Sequence, residues 1–428
     1  SNSLLLLATI IVAFVLAFTQ PVVKMFASGF SGETLELAVS FTRITVFGVY
    51  FTAVLYIFSG YLRVYEHYLA PALIGFPMNL IVICSLFIGA KTNVFVIAFG
   101  SLLAIASQLV VLIPFLRRTS YQHQIVVNVK DKYLKEMFLI ALPVIIGTSV
   151  NEINVLVDRT LASRIAVGGI SALNYARRLN GFVQGLVVVS LTSVMFPMIS
   201  KMAAAENIKD LKQTVNEAMA SMSLLIIPAT IGAMVFAEEI VALLFGRGAF
   251  TAEAITMTGN ALFYYSIGMI AFGLRDVLSR AFYALQDSKT PMINATIGVV
   301  LNIALNIILS RYMGIGGLAL ATSISAIVAV VLLFTSLRRK IGGLGLSNLV
   351  KSFTKIGLAS VIMGVIARGG YNSLTQILGQ NLALVIIMGM AVLIYGILVY
   401  FMRIPEVDQV IAAVKRIYSM RTMRDQGS

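Results

Sequence analysis

The chain is poor in the residues on which many enzymes and disulfide-linked domains depend. Its 428 residues include one cysteine, Cys84, and two histidines, His67 and His123. A single cysteine excludes an internal disulfide framework, and two histidines outside the apolar segments cannot build a metal or acid–base centre. The sequence also lacks a recognisable nucleophile–base pair or phosphate-binding loop. We therefore predict that the protein is not an enzyme and has no resident cofactor.

Charged residues are scarce as well. They make up 12% of the sequence, against 59% hydrophobic residues, and the mean hydropathy is +0.94. A soluble domain has about 25% charged residues, so this composition indicates a polytopic α-helical membrane protein. A net charge of +14 could suggest nucleic acid. Basic residues flanking apolar segments are, however, what the positive-inside rule produces, so we expect membrane lipids as partners and no nucleic acid.

Twelve apolar segments are long enough to cross a membrane. When basic residues close to the end of a span are assigned to the adjacent side, 21 of the 32 lysines and arginines fall on one predicted side, seven on the other and four within spans, which places residue 1 and the C-terminus in the cytoplasm. The predicted spans are 3–24, 38–62, 70–90, 93–116, 137–160, 170–199, 215–237, 254–283, 291–310, 316–337, 349–367 and 381–402.

The sequence repeats at a shift of 220 residues, which relates spans one to four to spans seven to ten. Because six spans separate the copies, the repeat is parallel, a pattern that predicts two lobes around a central cavity and alternating access. Spans five and six have no counterpart in the first lobe, so we expect two further spans and a total of fourteen. The superposed residues are Phe30, Glu33, Gly48 and Pro71 with Phe250, Glu253, Gly268 and Pro291.

These patterns divide the chain into five regions. We predict an N-terminal lobe of four spans that lacks its first two, a cytoplasmic linker, a C-terminal lobe of six spans, a two-span hairpin and a basic amphipathic tail on the inner leaflet. Their respective boundaries are 1–118, 119–136, 137–340, 341–403 and 404–428.

Two adjacent arginines, Arg177 and Arg178, lie about ten residues inside the sixth span. An arginine at bilayer depth costs on the order of 3 kcal/mol, so it normally faces a cavity or a functional site. A helical projection places Asn174 and Gln184 on the same half of the helix, together with two glycines that leave room for a bulky anion. The alternative is that Arg178 is a structural arginine paired with Glu152 or Asp158.

Two further groups of polar residues lie within predicted spans. Asp158, Asn302, Asn306 and Thr322 carry the oxygen ligands that hard cations prefer, so we predict a site for a coupling ion, Na⁺ or H⁺. The alternative is that the asparagines only join helices by hydrogen bonds. Arg275, two turns from the inner end of span eight, is either a substrate ligand or part of an interhelical ion pair.

Several motifs resemble the MurJ or MviN family of lipid II flippases. They are Gly246 to Phe250, the run Arg280-Ala281-Phe282-Tyr283-Ala284-Leu285-Gln286-Asp287-Ser288-Lys289-Thr290-Pro291, and Asn174-Tyr175-Ala176-Arg177-Arg178-Leu179. The resemblance covers essentially the whole chain.

This resemblance implies an all-α, two-lobed fold like that of the MOP and MATE transporters, with fourteen spans, of which about twelve are present. It implies outward movement of undecaprenyl-pyrophosphate-linked peptidoglycan precursor, lipid II, across the bacterial cytoplasmic membrane, and we expect a monomer. Arg178 matches an essential cavity arginine of the family, and the terminal hairpin matches one that borders a groove for the lipid tail. Arg177 departs from the pattern, because many relatives carry an acid there.

Two other classes of protein remain possible at this point. Another MOP-superfamily exporter, either a polysaccharide-lipid flippase or a multidrug/cation antiporter, would share the lobes and the repeat. A membrane scaffold without transport activity would share only the spans. Arginines on the cavity helix favour an anionic lipid-linked substrate over the cations that a drug exporter handles.

Overall fold

The computed structural model of the protein describes residues 2–119, 121, 132–344, 346–404 and 407, and within these ranges the secondary structure is helical. The helices are α1 (Asn2–Ala17), α2 (Thr19–Phe26), α3 (Gly32–Thr45), α4 (Gly48–Val64), α5 (Leu69–Leu73), α6 (Gly75–Lys91), α7 (Phe95–Arg117), α8 (Lys132–Ile165), α9 (Gly169–Ala204), α10 (Ile208–Val235), α11 (Ala237–Phe245), α12 (Ala252–Ile267), α13 (Met269–Ala284), α14 (Lys289–Ile341), α15 (Leu346–Leu378) and α16 (Gln380–Phe401). The predicted all-α class is confirmed. The predicted linker and the basic tail lie mostly outside the described residues.

Seven stretches of helix in the described residues are long and apolar enough to cross a membrane, and up to ten if each bent pair is one span. The longest, α14, has 53 residues and non-helical backbone at Gly314 (φ 56°, ψ −132°). At 1.5 Å per residue it would measure about 80 Å, more than twice the hydrocarbon thickness, so its halves correspond to predicted spans nine and ten. Helix α8 contains the fifth predicted span but is not among the stretches that meet this criterion.

The first predicted span is broken rather than continuous. Helices α1 and α2 meet at 88° around Phe18. The break has a local cause, because Pro21 cannot donate a hydrogen bond to the carbonyl of Ala17 and its ring would clash with that carbonyl in a continuous helix. The Thr19 hydroxyl donates to the carbonyl oxygens of Val15 and Leu16 at 2.8 and 3.1 Å, which satisfies two acceptors at the end of α1.

The chain forms two compact units, Ser1–Thr148 and Ser149–Ser428, and the boundary falls inside α8. In the first unit, α4, α5 and α7 enclose a small apolar core around Leu62 and Leu112. Many large apolar side chains on the described helices are exposed. Such a surface suits helices that are surrounded by lipid.

The second unit contains three apolar cores. One joins α9, α10, α13 and α14, a second joins α10 and α11 to the α15–α16 hairpin, and a third joins α8, α9, α11, α12 and α14. In the second core, the Tyr395 hydroxyl donates to the carbonyl oxygen of Leu224 at 2.7 Å. Helix α9 takes part in two of these cores, so its orientation is fixed by packing on both sides.

The turn between α13 and α14 is built by Asp287. Its carboxylate accepts hydrogen bonds from the backbone N–H and the hydroxyl of Thr290 at 3.0 and 2.9 Å, and from Lys340 Nζ at 2.7 Å. The lysine and the Thr290 N–H lower the pKa of Asp287 to about 2. This segment therefore has a structural role in starting α14 and joining its two ends.

Candidate functional site

The residue before the arginine helix α9 has a backbone conformation that glycine adopts with less strain than other residues. Gly168 has a left-handed backbone (φ 79°), which turns the chain sharply after α8. The helix then runs for 36 residues from Gly169. Arg178 lies nine residues after this start, or about 14 Å along the axis at 1.5 Å per residue, well inside an apolar helix.

Arg177 forms an ion pair with Asp158 of α8. Its Nη2 atom donates to Asp158 Oδ2 at 2.8 Å, and the side chains are 42% and 3% exposed respectively. The carboxylate is therefore inaccessible, while part of the arginine remains open. The sequence offered Asp158 as a partner for Arg178, but the structure pairs it with the neighbouring arginine.

A chain of hydrogen bonds continues from the other oxygen of Asp158. Asn306 Nδ2 donates to Asp158 Oδ1 at 2.7 Å and to Asn302 Oδ1 at 2.8 Å. Asn302 Nδ2 donates to Thr322 Oγ1 at 3.2 Å, across the kink of α14. The structure thus brings together all four residues of the predicted cation site. The Asn306 Oδ1 atom is buried and has no hydrogen-bond donor within the described part of the chain.

Arg178 points to the open side of α9. It is exposed, and no hydrogen bond or ion pair joins it to another described residue. Gly181 and Gly185 lie one and two turns further along this side, and a Cβ atom at either position would meet no described atom within 4 Å. The second unit therefore presents an unpaired guanidinium beside open space on a membrane helix.

The side chains of Asn180 and Gln184 donate hydrogen bonds to groups within the protein. Asn180 is buried and donates to the carbonyl oxygen of Tyr265 at 3.2 Å, while Gln184 donates to Asn180 Oδ1 at 3.0 Å. The Tyr265 carbonyl lies just before the bend between α12 and α13, and it also accepts from Ser323 Oγ at 3.3 Å. The sequence analysis missed this pairing, although Gly268 marks the bend.

The remaining predicted ligands, Asn174 and Arg275, do not take part in the hydrogen bonds described above. Asn174 is partly exposed one turn before Arg178, and no described residue hydrogen-bonds to its side chain. Arg275 lies in α13 with its guanidinium 5.5 Å from the ring centre of Phe272, whereas the adjacent Asp276 pairs with Arg280 at 2.9 Å.

An apolar groove of about 490 Å³ runs beside α9. The α9 side chains that line it are Leu179, Phe182 and Val183, and its other walls come from α10, α15 and α16 and from the region around α11 to α13. Phe182 is one turn from Arg178 on the same helix. The cationic side of α9 is therefore continuous with an apolar groove.

These features define a class of protein, a polytopic α-helical membrane protein with the fold of the MOP-superfamily transporters. A multidrug-resistance MATE transporter in an inward-facing conformation shares the fold at 17% identity, with a TM-score of 0.68 and coverage of 80% of each chain. A solved structure of lipid II flippase MurJ in an inward closed conformation is more similar, at 28% identity and a TM-score of 0.80, and covers 93% of this chain and 81% of its own.

Sequence comparison identifies the family. The profile of the lipid II flippase MurJ family matches residues 1–402. Probable lipid II flippases MurJ are 28% identical from Buchnera aphidicola subsp. Baizongia pistaciae, over 84% of this chain and 71% of the relative, and 28% identical from Thermotoga maritima, over 95% and 80%. The chain belongs to the MurJ family of lipid II flippases, as its motifs predicted.

Proposed function

We infer that the protein is a lipid II flippase of the bacterial inner membrane. Membership of the MurJ family carries this assignment. The observation in the structure that best supports it is the unpaired Arg178 beside an apolar groove on one helix. Lipid II has the matching chemistry, because a charged pyrophosphate joins its polar head to a long polyprenyl tail. Transport of this kind needs no catalytic residue.

Arg178 is the proposed ligand of the pyrophosphate. A guanidinium presents N–H groups in a planar fork that matches two phosphate oxygens, and a charge-assisted contact of this kind is stronger than a neutral hydrogen bond. The open space at Gly181 and Gly185 suits the bulk of a diphosphate with its sugar. Asn174, on the same side of α9, is the proposed neutral contact. Gln184 and Arg275 stay weaker predictions.

The groove between α9, α10 and the α15–α16 hairpin is the proposed path of the polyprenyl tail. It is lined almost wholly by apolar side chains, among them Leu179, Phe182 and Met363. A tail that stays in such a groove does not expose hydrocarbon to water while the polar head crosses the membrane. This arrangement supports the predicted function of the hairpin.

Alternating access between the two repeats is the proposed transport mechanism, with residue 1 and the C-terminus in the cytoplasm and one chain as the working unit. The parallel repeat and the distribution of basic residues support these proposals. Arg177 would contribute to the anion site only after it leaves Asp158.

The cluster at Asp158 is the proposed site of a coupling cation, Na⁺ being the ion that the ligands suit best. Its oxygen atoms come from one carboxylate, two amides and one hydroxyl, a donor set that hard cations accept. The orphaned Asn306 Oδ1 supports the fit, because a buried acceptor without a donor is available to a metal ion. A bound cation would supply positive charge that depends on the ion gradient.

Complementation tests the proposed function. The complete gene should restore growth to a bacterium depleted of its own lipid II flippase, whereas Arg178→Ala should fail while reaching the membrane in normal amount. Arg178→Lys keeps the charge but loses the planar fork, so we expect partial rescue. Failure of the unmodified gene, despite normal insertion, would favour another MOP-superfamily exporter.

A matched control separates the site from general damage to a helix. Gly389 of α16 is exposed, has no described atom near its missing Cβ, and does not line the groove. Gly389→Leu should rescue growth as well as the unmodified gene. Equal failure of Gly389→Leu and Arg178→Ala would mean that the growth assay does not report on the arginine.

A further inference from the structure

The Asp158 carboxylate accepts hydrogen bonds from two kinds of partner, a guanidinium and an amide of the proposed cation site. Its Oδ2 atom accepts from Arg177 at 2.8 Å, and its Oδ1 atom accepts from Asn306, the residue whose own oxygen belongs to the proposed cation site. Among the described residues that form the cluster, Asp158 is the one with an acidic side chain. The carboxylate and the guanidinium therefore form a neutral pair.

Charge balance makes Arg177 and a bound cation competitors for Asp158. If a monovalent cation joined the cluster while Arg177 stayed in place, two positive charges would share one carboxylate that is 3% exposed. Excess charge of this kind is costly in a membrane protein, because little water is present to solvate it. A cation can be accommodated at low cost if Arg177 leaves.

Arg177 is positioned to dissociate from Asp158. Its side chain is 42% exposed, in contrast to its partner, so the guanidinium already reaches the edge of the cluster. The next residue in the chain is Arg178, which faces open space without a partner. A rotation of the flexible Arg177 side chain towards that space would carry its charge away from the buried carboxylate.

An orphaned polar atom indicates that the hydrogen bonds of the cluster are incomplete in this arrangement. Asn306 Oδ1 is buried without a hydrogen-bond partner among the residues described. The buried Tyr265 lies beside the cluster and interacts with Arg177, Asp158 and Thr322. Natural proteins rarely leave such atoms unsatisfied, so a second arrangement with a cation ligated by Asn306 is chemically consistent with the cluster.

We propose that Arg177 is a built-in competitor of the coupling cation: either the guanidinium or an inorganic monovalent cation holds Asp158, and the cation releases Arg177 to join Arg178 in binding the diphosphate. This inference rests on the proposed function, since it links its two sites. Linkage makes the effect reciprocal, so that bound diphosphate also raises the affinity for the cation by the same factor.

Binding measurements on the purified full-length protein in nanodiscs test the proposal. The anion probe is farnesyl diphosphate, titrated calorimetrically in sodium chloride and in choline chloride. We expect its affinity to be about tenfold higher in sodium, within the range of about 5- to 150-fold that coupled sites usually show. Sodium itself is titrated with and without the probe, which should give the same factor.

Substitution of Arg177 provides the sharpest comparison. Arg177→Met has a similar length and no charge, so sodium should bind it at least tenfold more tightly than it binds the unmodified protein without probe. The probe should bind this variant with an affinity that no longer depends on sodium. Asp158→Asn should lose sodium binding and also lose the coupling.

Two further variants distinguish the possible failures. Arg178→Met should lose most affinity for the probe yet keep the sodium affinity of the unmodified protein, so a failure of the anion site leaves the competition measurable. Arg311→Met removes an exposed positive charge elsewhere in the same unit and should change neither affinity. Sodium binding of equal strength to the unmodified protein and Arg177→Met, or no sodium binding to either, would overturn the proposal.

Discussion

Filling the space beside Arg178 should impair lipid II transport without harming the fold. Gly181 lies three residues after Arg178 on the open side of α9, and a Cβ atom there would meet no described atom within 4 Å. Gly273 of the same unit, by contrast, is tightly packed, since its Cβ would lie 2.6 Å from Met222 Sδ. The perturbations are Gly181→Ala, which adds one carbon, and Gly181→Leu, which adds a bulky apolar side chain.

The expected effects on stability follow from helix propensity. Glycine costs about 1 kcal/mol relative to alanine in an exposed helix interior, and leucine is nearly as favourable as alanine. Because the Cβ atom of either new side chain meets no described atom within 4 Å, both variants should melt at the same temperature as the unmodified protein or slightly above it. Transport should respond differently, since leucine occupies the volume that we assign to the diphosphate.

Flipping of fluorescent lipid II in reconstituted vesicles measures that response. We expect at least a tenfold loss for Gly181→Leu, which corresponds to about 1.4 kcal/mol of lost binding, and a loss of less than threefold for Gly181→Ala. Gly389→Leu on α16 is the matched control and should flip normally. Normal flipping by Gly181→Leu would refute the assignment of this space, and a marked loss of thermal stability would show that the position is packed after all.

Three other predictions concern packing, pH and the groove. Gly273→Ala should lower thermal stability by about 1–3 kcal/mol, because its Cβ would lie 2.6 Å from Met222 Sδ in a filled core. The depressed pKa of Asp287 means that its ionised form stabilises the fold above its ordinary pKa of 3.8 and that this stabilisation is lost as the pH falls through about 2. Asp287→Asn should therefore be less stable than the unmodified protein by about 1 kcal/mol at pH 6 and should match it below pH 2, as thermal unfolding across a pH series would reveal; a pH-independent difference would contradict the role of the charge. Gly232→Phe should fill the groove and weaken calorimetric binding of farnesyl diphosphate, while inorganic diphosphate binds as before; equal weakening of both ligands would point to general damage.

Long apolar segments were sufficient to predict the helices, and the resemblance of three motifs predicted the family. The apolar segments are long, and their order follows from the chain alone, so the all-α class and the membrane setting needed no tertiary information. The residues Asp158, Asn302, Asn306 and Thr322 could also be grouped in advance, because polar residues in apolar spans tend to find one another.

Partner choice and helix breaks could not be predicted in the same way. Adjacent residues point about 100° apart on a helix, so whether Arg177 or Arg178 meets Asp158 depends on how α9 is rotated against α8. That rotation is set by two apolar cores whose members come from distant parts of the chain. The hydrogen bond from Asn180 to Tyr265 was missed for a related reason, since the predicted eighth span was treated as a straight helix.

The row of hydrogen bonds from Asp158 to Thr322 also constrains how this protein can evolve. Asn302 both donates and accepts a hydrogen bond and Asn306 donates two, so one replacement leaves a neighbouring group without the partner that it had. Viable changes should therefore occur as linked substitutions at positions 158, 302, 306 and 322, with position 177 changing whenever the charge of the row changes. In an alignment of descendants, these five columns would be inherited together, even though they are far apart in the gene.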